Sequence, residues 1–79
     1  MEENITHQVY RIAAAILGVP VSDLSGDASP ETVASWDSFQ QIQLVLAIEE
    51  AFGILFPEED ILSMDSLDSI LQLVLKRHG

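Results

Sequence analysis

The fold is decided by residues 36–54, which read WDSFQQIQLVLAIEEAFGI. An Asp-Ser pair, Asp37 and Ser38, stands directly before a run in which apolar residues recur at helical spacing, and Gly53 ends that run. Asp and Ser are preferred at the start of a helix, and Gly is preferred just after its last residue. The stretch therefore predicts an amphipathic helix from about Ser38 to Phe52 with a hydroxyl at its start.

Three further segments have a helical pattern. Residues 4–17 carry apolar residues on one face and end at Gly18, a short turn covers residues 57–62, and a last helix covers residues 66–77. Residues 18–36 are rich in Gly, Pro, Ser and Asp, and they are predicted to form a long ordered loop. No strand-like alternation is present. The sequence predicts an all-α fold, a small bundle of three main helices and one short helix.

The same patterns predict which side chains are buried. The apolar arc of the second helix is expected to consist of Phe39, Ile42, Val45, Leu46, Ile48 and Phe52. The opposite, solvated strip is expected to consist of Gln40, Gln43, Ala47 and Glu50. The loop is expected to be held to the core by Val21, Leu24, Val33 and Trp36, and the last helix by Leu67, Ile70, Leu71 and Val74.

Length and composition restrict the function. A length of 79 residues predicts one domain, residues 1–79. With 48% hydrophobic residues, the chain can form a core without disulfides or a structural metal. The absence of cysteine excludes disulfides and thiolate metal sites. The only histidines, His7 and His78, lie at opposite ends of the sequence. We therefore expect no catalytic residues, no metal site and no enzyme activity.

Charge is the second strong feature. Thirteen acidic residues face three basic ones, and residues 12–75 contain eleven of the acids and no Lys or Arg. Such a field repels nucleic acid and attracts basic patches on partner proteins, although acidity also serves solubility alone. No run of apolar residues is long enough to span a bilayer. Residues 1–4 are acidic, whereas the start of a secretion signal is basic. We expect a cytoplasmic protein that does not insert into membranes.

Ser38 has a structural and a functional interpretation. With Gln41 three residues later it fits a capping box, and Asp37 serves equally well as the cap. A phosphate on Ser38 would lie at the positive end of the helix, where free backbone N–H groups stabilise an anion. Asp37 beside it is placed to help a modifying enzyme hold a divalent metal. Local sequence alone favours the cap.

Residues 36–54 resemble the central part of acyl carrier proteins, and the resemblance covers essentially the whole chain. In that family an Asp-Ser-Leu motif precedes a helix that ends in a Glu-Glu pair and an aromatic residue. The resemblance implies that Ser38 receives 4′-phosphopantetheine from coenzyme A through a phosphopantetheinyl transferase. It also implies a monomeric carrier that is loaded by an acyl- or aminoacyl-transferring enzyme. Here the motif reads Asp37-Ser38-Phe39, with phenylalanine in place of the commoner leucine. An exact Asp-Ser-Leu occurs at residues 65–67, where the family pattern makes Ser66 an ordinary helix start.

The resemblance also makes the second helix the docking surface. Its expected partner-facing residues are Phe39, Gln40, Ile42, Gln43, Leu46, Glu49 and Glu50. Gln40 and Gln43 stand where fatty-acid carriers usually have Asp and Glu, which indicates a carrier dedicated to a specialised pathway. Fatty-acid, polyketide and other acyl cargo all fit this pattern. The alternatives are a D-alanyl or aminoacyl carrier and an interaction module of the same fold that is never modified.

Overall fold

The computed structural model of the chain describes residues 4–78, which form helices joined by turns and loops. Helix α1 spans Ile5–Leu17, α2 spans Ser38–Phe52, α3 spans Glu58–Leu62 and α4 spans Leu67–His78. Between residues 4 and 78 there is no strand and no helix able to cross a membrane. The predicted all-α bundle, with a long loop after its first helix, is confirmed. The acidic residues 1–3, used above in the argument about a secretion signal, lie outside the described residues.

The helix ends follow from local chemistry. The Asn4 side chain caps α1 by accepting the N–H of His7 at 2.8 Å. Gly18, with φ of 70°, and Gly53, with φ of 65°, close α1 and α2 in the left-handed region. An L-residue with a side chain adopts that conformation only at a cost, so glycine is the natural stop at both positions. Both glycines were predicted as helix ends, and both predictions are confirmed.

The core lies where α1, α2 and α4 face one another and the loops cover them. The predicted inward residues of α4 are all buried, since the exposed fraction is 8% or less at Leu67, Ile70, Leu71 and Val74. The side chains with the largest volume that are fully buried include Trp36, Leu44 and Ile48. Helix α2 therefore contributes its buried face to the centre of the molecule, with Trp36 just ahead of it.

The predicted apolar arc of α2 is wrong over half its width. Val45 and Ile48 are buried as predicted, together with Leu44, which the arc did not include. Phe39, Ile42 and Leu46, placed on the arc, are 64%, 58% and 55% exposed. Apolar residues occur around nearly the whole helix, so the sequence pattern does not define one inward face. Of the predicted solvated strip, Gln43 and Glu50 are exposed, whereas Gln40 and Ala47 are half-buried.

The long loop is a packed part of the structure. Leu24 and Trp36 are buried and Val33 is half-buried, as predicted, but Val21 is 38% exposed. Val21 opens a single 3₁₀ turn, Val21–Asp23, that lies at the surface, which explains the wrong prediction. The buried loop residues Ala28 and Ser29 were not predicted.

Hydrogen bonds hold this loop at its middle and near its end. The Ser35 hydroxyl donates to the carbonyl of Leu17 at the end of α1, at 2.7 Å. In the middle of the loop, the carbonyls of Ala28 and Gly26 accept the N–H groups of Leu67 and Asp68 at the start of α4, both at 2.8 Å. The middle of the loop is therefore tied to α4, and the residues just before α2 are tied to the end of α1. The bond at Ser35 helps to position the start of α2, where Ser38 lies.

Candidate functional site

Ser38 is the first residue of α2, and the helix is capped by its neighbour. The Asp37 Oδ1 accepts the N–H of Gln40 at 2.9 Å. Of the two caps that the sequence allowed, Asp37 is therefore the one used, and the capping box of Ser38 with Gln41 does not form. The Ser38 side chain is exposed, and its hydroxyl makes no hydrogen bond within residues 4–78. The hydroxyl is left available for chemistry.

The first backbone N–H groups of α2 are available as well. Within the described chain, the N–H groups of Ser38 and Phe39 have no acceptor, whereas those of Gln40 and Gln41 bond to Asp37. Unpaired N–H groups at a helix start carry the positive end of the helix dipole and bind anions. A phosphate attached to the Ser38 hydroxyl would meet these donors.

The Asp-Ser-Leu sequence at residues 65–67 has a different environment. The half-buried Ser66 caps α4, because its hydroxyl accepts the N–H of Ser69 at 3.1 Å while the Ser69 hydroxyl accepts the N–H of Ser66 at 3.0 Å. The next two N–H groups of α4, those of Leu67 and Asp68, bond to the carbonyls of Ala28 and Gly26. The N–H groups that are unpaired at the start of α2 are thus paired at the start of α4. Geometry separates two serines that local sequence does not.

An open cleft of about 580 Å³ lies beside Ser38, between the start of α2 and the segment that carries α3. At its inner side, the indole N–H of Trp36 donates to Oε1 of Gln41 at 2.6 Å. Its lining is mostly apolar and consists of Pro30, Trp36, Asp37, Ser38, Gln41, Ile42, Ile61, Leu62 and Met64. Leu62 is 80% exposed. Ile61, Leu62 and Met64 were not predicted as site residues. The pattern of a helix as short as α3 does not show which of its sides faces a neighbouring element.

The predicted docking residues form a surface on α2 with few charges. Phe39, Ile42 and Leu46 are exposed at spacings of three and four residues, which places them along one side of the helix. No charged residue occurs from Ser38 to Ile48. Glu50 is exposed, whereas Glu49 is half-buried and its Oε2 accepts the backbone N–H of Phe56 at 2.8 Å. The structure thus gives Glu49 a role in holding the loop after α2.

The acidic residues differ in exposure and in their partners. Asp27 is fully exposed, and the hydroxyl of Ser25 donates to its carboxylate, which lowers the pKa of Asp27 below its ordinary value. Asp60 is buried and pairs with Arg77, whose Nε and Nη2 lie 2.9 and 2.8 Å from Oδ2 of Asp60. Within residues 4–78, no three metal-ligating side chains cluster as a metal site.

An exposed hydroxyl at the start of a helix, next to unpaired N–H groups and an open cleft, is suited to the covalent attachment of a phosphorylated group. The family described as "phosphopantetheine attachment site" matches residues 7–74, and the chain belongs to this family. The prosthetic group attached to members of this family is 4′-phosphopantetheine. Carrier proteins interact with the phosphopantetheinyl transferase that attaches it and with biosynthetic enzymes. Carriers of this kind are not themselves catalysts.

A solved structure has the same fold. It is the solution structure of the apo doublet acyl carrier protein from prodigiosin biosynthesis, with a TM-score of 0.77 and 22% sequence identity. The match covers 92% of this chain and 35% of that one, so the present chain spans about a third of the length of its relative. The residues around Ser38 fit the family's prosthetic group, because they offer an accessible hydroxyl, two unpaired N–H donors and an open cleft.

Proposed function

We propose that Ser38 is the attachment residue and that the protein carries acyl or aminoacyl groups to partner enzymes. One contrast carries this proposal. The Ser38 hydroxyl is exposed beside two unpaired N–H groups, whereas the Ser66 hydroxyl is engaged in capping α4. A family described by its phosphopantetheine attachment site supports an attachment residue in this chain, and of Ser38 and Ser66 it is Ser38 that has the environment suited to a phosphodiester. We also propose that residues 1–79 act as one carrier domain, since the family match spans most of them.

Each residue at the start of α2 has a definite task in this proposal. The hydroxyl of Ser38 accepts the phosphodiester, and the N–H groups of Ser38 and Phe39 stabilise its negative charge. Asp37 fixes the first turn by capping it, and its exposed carboxylate is also available to the transferase. When bound, the prosthetic group supplies the thiol that holds cargo as a thioester, a function for which this cysteine-free chain has no side chain of its own.

We propose the exposed side of α2 as the docking surface. Phe39, Ile42 and Leu46 supply apolar contacts, with Gln40 and Gln43 between them. Exposed large apolar side chains at regular helical spacing are typical of a helix that binds in a partner's groove. Beyond Ile48 the carboxylate of Glu50 adds attraction toward basic partners, and that of Glu49 contributes to the same field. The net charge of −10 opposes self-association, in agreement with a monomer.

We further propose a specialised pathway. The first eleven residues of α2 contain no charge, so a partner selected by pairing with acids along that segment gains little here. The similar solved structure is of a protein from prodigiosin biosynthesis, which supports a specialised pathway but does not identify the cargo of this chain. A cytoplasmic location, where coenzyme A-dependent modification takes place, completes the proposal.

Intact mass spectrometry tests the attachment residue. The protein is incubated with coenzyme A, Mg²⁺ and a broad-specificity phosphopantetheinyl transferase. We expect the mass of one phosphopantetheine group to be added to the wild type and to Ser66→Ala, and none to Ser38→Ala. A gain that persists in Ser38→Ala would refute the assignment. No gain in the wild type would favour the unmodified interaction module.

Loading experiments then distinguish the kinds of cargo. The holo protein is offered malonyl, longer acyl and amino-acid donors with their loading enzymes, and thioester formation is read from the mass. Preferential loading with acyl groups supports the acyl carrier. Loading with D-alanine or another amino acid alone would instead support an aminoacyl carrier.

A further inference from the structure

The orientation of the Gln41 amide is fixed by a buried neighbour. The indole nitrogen of Trp36 is only a donor, so the Gln41 atom 2.6 Å away is the carbonyl oxygen. Trp36 is 2% exposed, and its backbone N–H donates to the carbonyl of Val33. The carbonyl side of the Gln41 amide is therefore occupied, and its NH₂ group points away from Trp36.

That NH₂ group has no partner in the described part of the chain. Gln41 is half-buried, and residues 4–78 contain no buried side-chain nitrogen or oxygen without a hydrogen bond. The NH₂ group makes no hydrogen bond to the protein, so its nitrogen is not fully buried, and Gln41 is one of the residues that line the cleft. Because Gln41 follows Ser38 by three residues in α2, the two side chains lie on the same side of the helix.

The lining of the cleft offers few other hydrogen-bond donors besides the NH₂ group of Gln41. The lining also includes Ile42, Ile61, Leu62 and Met64, none of which carries a side-chain group that donates a strong hydrogen bond. The Ser38 hydroxyl lines the cleft too, but it loses its hydrogen when a phosphodiester forms on it. The carboxylate of Asp37 is an acceptor and already accepts the N–H of Gln40. An oriented amide donor in an apolar cleft selects for a ligand that places an acceptor there.

We infer that Gln41, oriented by Trp36, is a binding residue for a carbonyl oxygen that enters the cleft next to Ser38. The inference rests on the proposed attachment at Ser38. The chemistry fits two sources, an amide carbonyl of the attached arm and the carbonyl of its thioester cargo. In either case Gln41 donates one hydrogen bond and the apolar lining covers the neighbouring carbons.

NMR of the ¹⁵N-labelled protein tests the inference and separates the two sources. Spectra are recorded for the apo form, the holo form and a holo form acetylated by transfer from acetyl-coenzyme A, with each state verified by intact mass. A shift of the Gln41 NH₂ signals between apo and holo assigns the acceptor to the arm. A shift only between holo and acetyl-holo assigns it to the cargo. Unchanged Gln41 signals in all three states overturn the inference.

A pair of variants isolates the donor. Gln41→Glu keeps an oxygen to accept the Trp36 N–H but removes the NH₂ donor, and Gln72→Glu makes the same charge change on the exposed side of α4. The readout is the mobility of the arm, measured by relaxation of amide ¹⁵N introduced through labelled coenzyme A.

A net hydrogen bond changes an equilibrium by roughly twofold to tenfold, so we expect the docked-to-free ratio of the arm or its cargo to fall by that factor in Gln41→Glu alone. Retained exchange protection of the Trp36 indole N–H verifies that its bond survives. Equal mobility in both variants and the wild type contradicts the inference. Failure to gain mass would refute the attachment proposal itself, whereas mass gain with an unmoved Gln41 signal refutes only the role of Gln41.

Discussion

The Oε2 of Glu49 accepts the backbone N–H of Phe56 at 2.8 Å, which joins the last turn of α2 to the loop that leads into α3. The side chain of Phe56 is buried, so this bond holds a core residue in place. Glu50, the next residue along, is exposed and makes no hydrogen bond or ion pair with residues 4–78. Two adjacent acids that are equivalent in the sequence therefore have different roles.

Charge reversal separates these two roles. We expect Glu49→Lys to lower the free energy of unfolding by about 1–3 kcal/mol, because a charge-assisted bond is lost and the N–H of Phe56 loses its acceptor. Glu50→Lys, an exposed substitution, is expected to change stability by less than about 0.5 kcal/mol. Urea unfolding of both variants measures the difference. Equal stability of the two variants would contradict the role of the bond to Phe56.

Glu50→Lys is also the better probe of docking. If the acidic field attracts partners, the rate of modification by the transferase falls in this variant, and the wild-type rate falls as salt rises. A rate insensitive to both changes would mean that the acidity serves solubility alone. Glu49→Lys does not give this information cleanly, because its effect on folding is added to its effect on charge.

The ion pair of Asp60 with Arg77 joins α3 to the last turn of α4. Arg77→Ala leaves the carboxylate of Asp60, 10% exposed, without its partner. For a fully buried pair this costs about 3–5 kcal/mol, and for exposed pairs 1 kcal/mol or less. Because Arg77 is partly exposed, we expect roughly 1–2 kcal/mol, against almost no change for the neighbouring exposed Lys76→Ala. Urea unfolding at low and high salt measures both, and a cost equal to that of Lys76→Ala would contradict the role of the pair.

The hydrogen bond from Ser25 predicts a pH effect at Asp27. The pKa of Asp27 is lowered in the folded protein, mainly by the Ser25 hydroxyl and next by a backbone hydrogen bond. A carboxylate with a lowered folded-state pKa contributes stability above its unfolded pKa, and that stability is lost as the pH falls through the folded pKa. We expect Ser25→Ala to raise the pKa of Asp27 toward its ordinary value, as measured by carboxyl ¹³C NMR titration. Ser22→Ala in the same loop is the control, and an unchanged pKa in Ser25→Ala would contradict the assignment.

Much of the fold follows from short-range signals in the sequence. Asn4, Gly18 and Gly53 mark helix ends by their own conformational chemistry, so their positions are readable without the tertiary structure. The face that α2 buries is not readable in this way. Leu44 and Leu46 are the same residue type two positions apart, and only the direction from which α1 and α4 approach makes one buried and the other 55% exposed.

The site shows the same division. The position of Ser38 at a helix start is a local property, and the sequence predicted it. The engagement of the Ser66 hydroxyl by the N–H of Ser69 is also local. The pairing of the first N–H groups of α4 is not local, because their acceptors, the carbonyls of Gly26 and Ala28, lie about forty residues away in the chain. The bond between Trp36 and Gln41 likewise depends on the buried position of the indole.

Asp37 caps α2 and also places a negative charge next to Ser38. Asp37→Ala removes the acceptor of the Gln40 N–H and is expected to cost about 0.5–2 kcal/mol of stability. Asp37→Asn keeps a capping oxygen and removes only the charge, so its stability is expected to stay close to that of the wild type. If the carboxylate helps the transferase hold Mg²⁺, modification of Ser38 slows in both variants, and higher Mg²⁺ partly restores the rate. Thermal unfolding and intact mass over time measure the two effects. Wild-type modification of Asp37→Asn together with slow modification of Asp37→Ala would instead show that Asp37 acts only by fixing the first turn of α2.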